Sequence, residues 1–139
     1  MLGKKNMAVE SLKLHLGCGI SIASGWMNVD SSPNALAAKL PFYILLKQVL
    51  FKLGLISENA YKANWDKNIL LCDLGKSFPD IPINSCSEIY SSHFIEHIPH
   101  KKASKLVNKC FTVLKPGGIF RVAVPDLYAE AKLYIEKFV

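Results

Sequence analysis

Arginine is nearly missing from this chain: Arg121 stands alone beside sixteen lysines and eleven acidic residues, for a net charge of +6. Lysine is a point charge, whereas the rigid fork that reads base edges belongs to arginine. The lysines are also spread along the chain, with pairs only at Lys4-Lys5 and Lys101-Lys102. Specific nucleic-acid recognition is therefore not expected, and the excess charge suits a solvated face. The four cysteines, Cys18, Cys72, Cys86 and Cys110, include no C-x-x-C pair, which removes the disulfide framework of small secreted domains and the usual zinc spacing. A reducing, cytoplasmic setting is the simpler expectation. Apolar runs are short as well. The longest, 40–56, is interrupted by Lys47, Gln48 and Lys52 and falls below the roughly 18 to 20 apolar residues that a bilayer span needs. Residues 1–11 are polar and have no apolar run behind their lysine pair, so no signal peptide is expected. Internal repeats and low-complexity tracts are missing too.

What is present has the composition of a compact globular chain: 139 residues, 50% hydrophobic and 20% charged, with a mean hydropathy of +0.20. At about 30 residues for a strand, crossover helix and return strand, that length suits one domain over 1–139 and excludes a large two-domain enzyme. Leu12 to Leu16 alternates and runs into Gly17-Cys18-Gly19, which reads as a strand ending in a tight turn. Four more strands follow: Trp26 to Asp30, Asn68 to Leu74, Ser87 to Ser92 and Ile119 to Val124. Helical spacing covers Pro41 to Leu53, with Pro41 in the first turn, then Lys101 to Leu114 and Asp126 to Phe138. Strands alternating with helices imply an open, mostly parallel α/β sheet with its ligand crevice at the carboxyl ends of the strands.

Gly17, Gly19, Asp30 and Asp73 all fall at such carboxyl ends. A glycine turn lets backbone approach a ligand, and an acid after the next strand is placed to accept from a ribose diol. A dinucleotide fingerprint would need glycine at Ile22, and only nine residues, Gly17 to Gly25, separate the first two strands. No long helix is then available to point its dipole at a pyrophosphate. NAD and ATP are disfavoured, and a cofactor with a ribose but no phosphate fits better. Asp73 with the Leu74 N–H could read an adenine, or Asp73 could cap the next turn.

These residues and their surroundings resemble the class I S-adenosylmethionine-dependent methyltransferases of the methyltransferase-11 type. The likeness runs from about Lys13 to Leu127 and rests on LHLGCG (Leu14 to Gly19), WMNVD (Trp26 to Asp30), YSSHFIEHI (Tyr90 to Ile98) and VLKPGGIFRVAVPDL (Val113 to Leu127). It implies a Rossmann-like sheet of order 3-2-1-4-5, here of about five strands against the usual seven. It also implies that Gly17, Cys18 and Gly19 hold the methionine and ribose part of S-adenosyl-L-methionine, Asp30 the ribose hydroxyls, and Asp73 with Leu74 the adenine. Ser92 and His93 would then face cofactor and substrate. His15, which stands where the family usually has an acid, is placed with them among the cofactor-binding residues, and Ser21 stands where the family has a third glycine. The implied activity is methyl transfer to a small-molecule or cell-envelope sugar acceptor. A non-catalytic binding module of the same fold is the alternative.

His93-Phe94-Ile95-Glu96-His97 also spells H-x-x-E-H, in which two histidines on a helix bind zinc and the glutamate is the base of a hydrolase. Tyr90-Ser91-Ser92 reads as a strand end and Pro99 closes the segment, so the required helix is not expected and no metal is assigned. Under methyl transfer, His93 or His97 would be the base for a hydroxyl or amine acceptor. On a purely structural reading Glu96 caps a turn and His97 packs under the sheet edge, with His100 at the surface. The helical insert 36–67 reads as a crossover helix on the sheet, or as a lid or docking surface for a partner or membrane face through 41–56. The strand 119–124 is expected at a sheet edge open to self-association. The last helix would cover a sheet face through Leu127, Ala131, Tyr134, Ile135 and Phe138.

Overall fold

The computed structural model describes residues 11–138. The polar stretch 1–10 and the Phe138 side chain, both of which enter the reading above, lie outside the described residues. Five strands form one sheet: β1 (Leu12–Leu16), β2 (Met27–Asp30), β3 (Leu70–Leu71), β4 (Cys86–Ser92) and β5 (Leu114–Ala123). All four pairings are parallel and the order is β3-β2-β1-β4-β5. The reversal of strand order beside β1 makes its carboxyl end the place where chain diverges to both sides and leaves a crevice.

The core lies on one face of this sheet. Leu14, Leu16, Val29, Ile89 and Cys86 from the strands meet Leu106, Cys110 and Val113 of α4 (His100–Val113). Those three α4 residues recur at helical spacing and form the helix's single buried stripe. A second, smaller cluster of Cys18, Ala35 and Ile69, with Trp65 and Leu71 beside it, joins the turn after β1 to β3.

Several boundaries differ from the sequence reading. β3 has two residues where seven were expected: Leu70 and Leu71 pair with Val29 and Asp30, and no ladder continues past Leu71 because β2 ends at Asp30. Asp73 therefore sits in the following turn, where its carbonyl accepts from the Lys76 and Ser77 amides. β5 starts earlier, at Leu114, and the 115–118 segment loops out between the Cys86↔Leu114 and Glu88↔Ile119 pairs. Two short helices, α1 (Pro33–Ala37) and α3 (Glu58–Lys62), flank α2 (Tyr43–Lys52), each short helix opened by a serine cap, Ser32 and Ser57. Pro41 lies ahead of α2 rather than in its first turn.

The insert helix is not laid down on the sheet. No residue of α2 is buried, and α2 packs on α3 through Phe51 stacked on Tyr61 at 4.4 Å. α5 (Leu127–Phe138) also departs from expectation. Leu127 is 82% exposed, and Tyr134 and Ile135 are exposed with it, so this helix does not cover a sheet face. A crossover helix packs over the two strands it joins, and among the described residues no strand follows α5. β5 is an edge strand, as expected, with Ile119, Val122 and Val124 exposed.

Burial sets the expected stability ranking. Leu14→Ala removes a fully buried side chain from the central strand and should cost about 2 to 5 kcal/mol in urea unfolding. Ile44→Ala on α2 should change stability by no more than about 0.5 kcal/mol. The opposite ranking would mean that α2, not the sheet face, carries the core.

Candidate active site

The turn after β1 is clamped onto the end of β2. Gly17 and Cys18 N–H both donate to the Val29 carbonyl, at 2.8 and 3.1 Å, and Gly19 N–H donates to Asp30 Oδ2 at 2.9 Å. Asp30 Oδ1 accepts from Ser32 N–H at 2.7 Å, so the same carboxylate fixes the start of α1. A carboxylate has about four lone-pair sites, and two of Asp30's remain for hydroxyl donors. The first three amides of the turn, by contrast, are taken. They cannot gather round a phosphate as the amides of a phosphate-binding loop do. No helix begins until Pro33, so no dipole replaces them.

Two glycines make the turn possible. Gly17 has φ +65 and Gly19 φ +55, the left-handed region that L side chains rarely adopt. A Cβ on Gly17 would meet Phe94 Cγ at 2.2 Å, so the Phe94 ring lies directly against this backbone. A Cβ on Gly19 would meet nothing within 4 Å, and the turn is open to a ligand on that side. Cys18 points inward: burial, then the nearby Asp30 charge, pushes its thiol up to about 11. It is an inert thiol at neutral pH.

The loop after β4 completes the crevice. His93 has φ +50, uncommon for a residue with a side chain. Its N–H donates to the Ala123 carbonyl at the end of β5. Its exposed ring lies with Nδ1 3.8 Å from Glu96 Oε1. Ser92 is half-buried on β4, and His97 ends a 3-10 turn at Ile95–His97 with its side chain exposed. His97 does not pack under the sheet edge, and Glu96 makes no cap. The two motif histidines thus sit on a loop and a single tight turn, not on one helix face. Among the described residues no three metal-ligating side chains converge.

Asp73 is turned to local work. Its Oδ1 accepts from Gly75 N–H at 3.0 Å and its Oδ2 meets Lys76 Nζ at 2.8 Å, which together hold its carboxyl below the ordinary value. Leu74 carries its side chain into the main core. His15, two residues before Gly17, lies on the sheet face away from α4. It is 6% exposed, with Nδ1 unpaired, its ring 5.1 Å from that of Tyr90 and Arg121 on Tyr90's other side. Burial lowers the His15 pKa, with the Asn28 side chain partly opposing.

Two contributors escaped the sequence reading. Asn28 straps the 20–26 loop down, its Oδ1 accepting from Ala23 N–H and its Nδ2 donating to the Ala23 and Trp26 carbonyls. The signal available for it was an amide side chain in the middle of a short strand. Phe94 ties the loop after β4 to the turn after β1, and nothing in its spacing marks that contact.

A parallel 3-2-1-4-5 sheet, a glycine turn clamped to an acid at the next strand, and a positive-φ loop after β4 define the class: a Rossmann-like α/β fold with an open crevice at the carboxyl ends of its strands. The model of the methyltransferase-11 family, described as a methyltransferase domain, matches residues 14–122, and the chain belongs to that family of class I S-adenosylmethionine-dependent methyltransferases. No curated protein matches it. The family typically uses S-adenosylmethionine.

Two outcomes follow from this geometry. Gly17→Ala combines a forbidden φ with a clash on Phe94 and should destabilise by about 2 to 4 kcal/mol. Adding Phe94→Gly, which removes the Cβ at 2.6 Å as well as the ring, should relieve the clash but not the backbone strain at Gly17, which a double-mutant cycle by urea unfolding would show as a coupling between the two sites. Below the ordinary imidazole value of 6.5, unfolded His15 takes up a proton that the folded form refuses. Stability is therefore lost as pH falls from about 7 toward the lowered folded value, and His15→Gln should flatten that slope. Equal slopes in the two proteins would remove His15 from the account.

Proposed function

We propose that this chain binds S-adenosyl-L-methionine in the crevice between the glycine turn and the loop after β4, and methylates a hydroxyl or amine on a small-molecule or cell-envelope sugar acceptor. The observation that carries the reading is the clamp of Gly17, Cys18 and Gly19 on Val29 and Asp30. It leaves no amide nest for phosphate but keeps two acceptor sites on Asp30 for ribose hydroxyls. In this proposal the Gly19 side of the turn receives the methionine and ribose part, and Asp30 holds the diol. Asp73 contributes through the turn it organises beside Leu74, near the adenine. Ser92 and His93 face the reacting end.

When bound, the cofactor supplies a methyl group on a sulfonium, which transfers in line to a nucleophile. Little more than placement is needed from the protein, plus a base for the acceptor's proton. His93 takes that role in this reading: its ring is exposed at the crevice, with Nδ1 3.8 Å from Glu96 Oε1. His97, exposed at the end of the 3-10 turn four residues on, is the other imidazole that the reading offers as a base.

Calorimetry with S-adenosylmethionine and S-adenosylhomocysteine tests the reading. Both should bind, and Asp30→Ala should weaken binding by about 1.5 to 3 kcal/mol through loss of charge-assisted hydrogen bonds. Folded protein that binds neither compound would sink it. With an acceptor in hand, His93→Ala should lower turnover by about 100-fold or more and remove the imidazole limb from the pH profile. If only His97→Ala does this, the base is His97.

A further inference from the structure

The insert presents a surface that the site and the fold leave unused. α2 is apolar nearly all round its circumference, and a helix of that kind is normally buried. Here none of its residues is buried. Phe42 and Ile44 are each 73% exposed, and Leu45, Leu46, Val49 and Leu53 are exposed with them. The segment 33–56 carries Lys39, Lys47 and Lys52 and no acidic residue. In the rest of the insert, Glu58 is paired with Lys62, and Asp66 accepts from Asn68 N–H at 2.6 Å. The lysines of the apolar part therefore have no carboxylate partner on their own element.

The aromatic residues point the same way. An open groove of about 960 Å³ between α2 and α3 is lined by Tyr43, Tyr61, Trp65 and the stems of Lys39 and Lys47. Lys47 Nζ donates to the Ala63 carbonyl at 2.6 Å and lies over the Tyr43 and Tyr61 rings at 5.4 and 5.8 Å. Tyrosine, tryptophan and lysine around an apolar patch are the side chains that suit a lipid–water boundary, with apolar bodies inside and polar tips in the headgroups. Length fixes the mode. Ten residues of helix rise about 15 Å, half of a hydrocarbon core of about 30 Å, so α2 can lie in the interface but cannot cross. No helix among the described residues is long and apolar enough to cross.

We propose that α2 and its flanks, 40–56, dock this protein on an anionic lipid surface. The apolar side chains enter the boundary layer, and Lys39, Lys47 and Lys52 meet the negative headgroups. Charge selects this occupant over a second copy of the chain. Pairing the same face of two copies would bring the three lysines against their own counterparts without an acid between them, whereas a negatively charged bilayer neutralises them.

Flotation of the full chain with phosphatidylcholine vesicles, with and without one-quarter phosphatidylglycerol, tests the proposal. Binding is expected to the anionic vesicles only, reduced by high salt, with a blue shift of tryptophan emission. Ile44→Glu with Leu45→Glu replaces two exposed side chains, so folding should be kept, as thermal unfolding would verify. Partition should fall about tenfold or more. Lys39→Glu with Lys52→Glu should weaken binding and its salt dependence together. Leu127→Ser with Tyr128→Ser, which removes the two most exposed apolar residues of α5, should float like the parent. The proposal is overturned if the parent does not float, if neutral vesicles bind equally well, or if the α5 variant loses binding as the α2 variant does. It is also overturned if the parent self-associates in sedimentation and only Ile44→Glu with Leu45→Glu abolishes that.

Discussion

The amides of Gly17, Cys18 and Gly19 end on two neighbouring residues of β2, the first two on the Val29 carbonyl and the third on the Asp30 carboxylate. A bond to a charged acceptor contributes about 1.5 to 3 kcal/mol, roughly twice a neutral one, so Asp30 is the stronger hold. It fixes where β1 ends, forces the left-handed backbone that only glycine takes easily, and turns Cys18 into the second core cluster. Through Ser32 N–H the same carboxylate sets the start of α1, and with it the direction in which the insert leaves the sheet. One side chain thus organises the crevice and the segment that follows it.

Phe94 couples the other half of the crevice to this clamp. Its ring lies against Gly17, and its neighbour His93 is held at positive φ by a hydrogen bond to the end of β5. Backbone strain of this kind costs about 1 to 3 kcal/mol and persists only where the surroundings enforce it. Here a ring packed on a glycine and a bond to the edge strand do so. The loop after β4 and the turn after β1 consequently form one packed unit across the strand ends.

The two faces of the sheet are unequal. α4 covers one with Leu106, Cys110 and Val113. On the other, the registers place Asn28, His15, Tyr90 and Arg121 in one row across four strands. That row is polar and aromatic, so it tolerates water at Arg121 while burying His15 at its centre. The ion pair of Lys13 and Glu88 at 2.6 Å lies one pleat away. It is about 40% exposed on both sides and adds little stability.

Local pattern and spacing settled much of this protein. Alternation and turn residues give the five strands, helical spacing gives α4, and the short link from Gly17 to Gly25 excludes a phosphate-binding helix before any coordinates are known. The family is legible in four short motifs because each combines turn chemistry with a strand end. Tertiary structure decided what depends on neighbours distant in sequence. β3 stops at Leu71 because its partner β2 stops at Asp30, and Asp73 passed from strand end to turn with it. His15 faces away from the core that Leu14 and Leu16 enter because side chains alternate across a strand. α2 and α5 carry the apolar periodicity of packed helices yet stay exposed, since periodicity states what a helix could bury and not whether a surface is there to receive it.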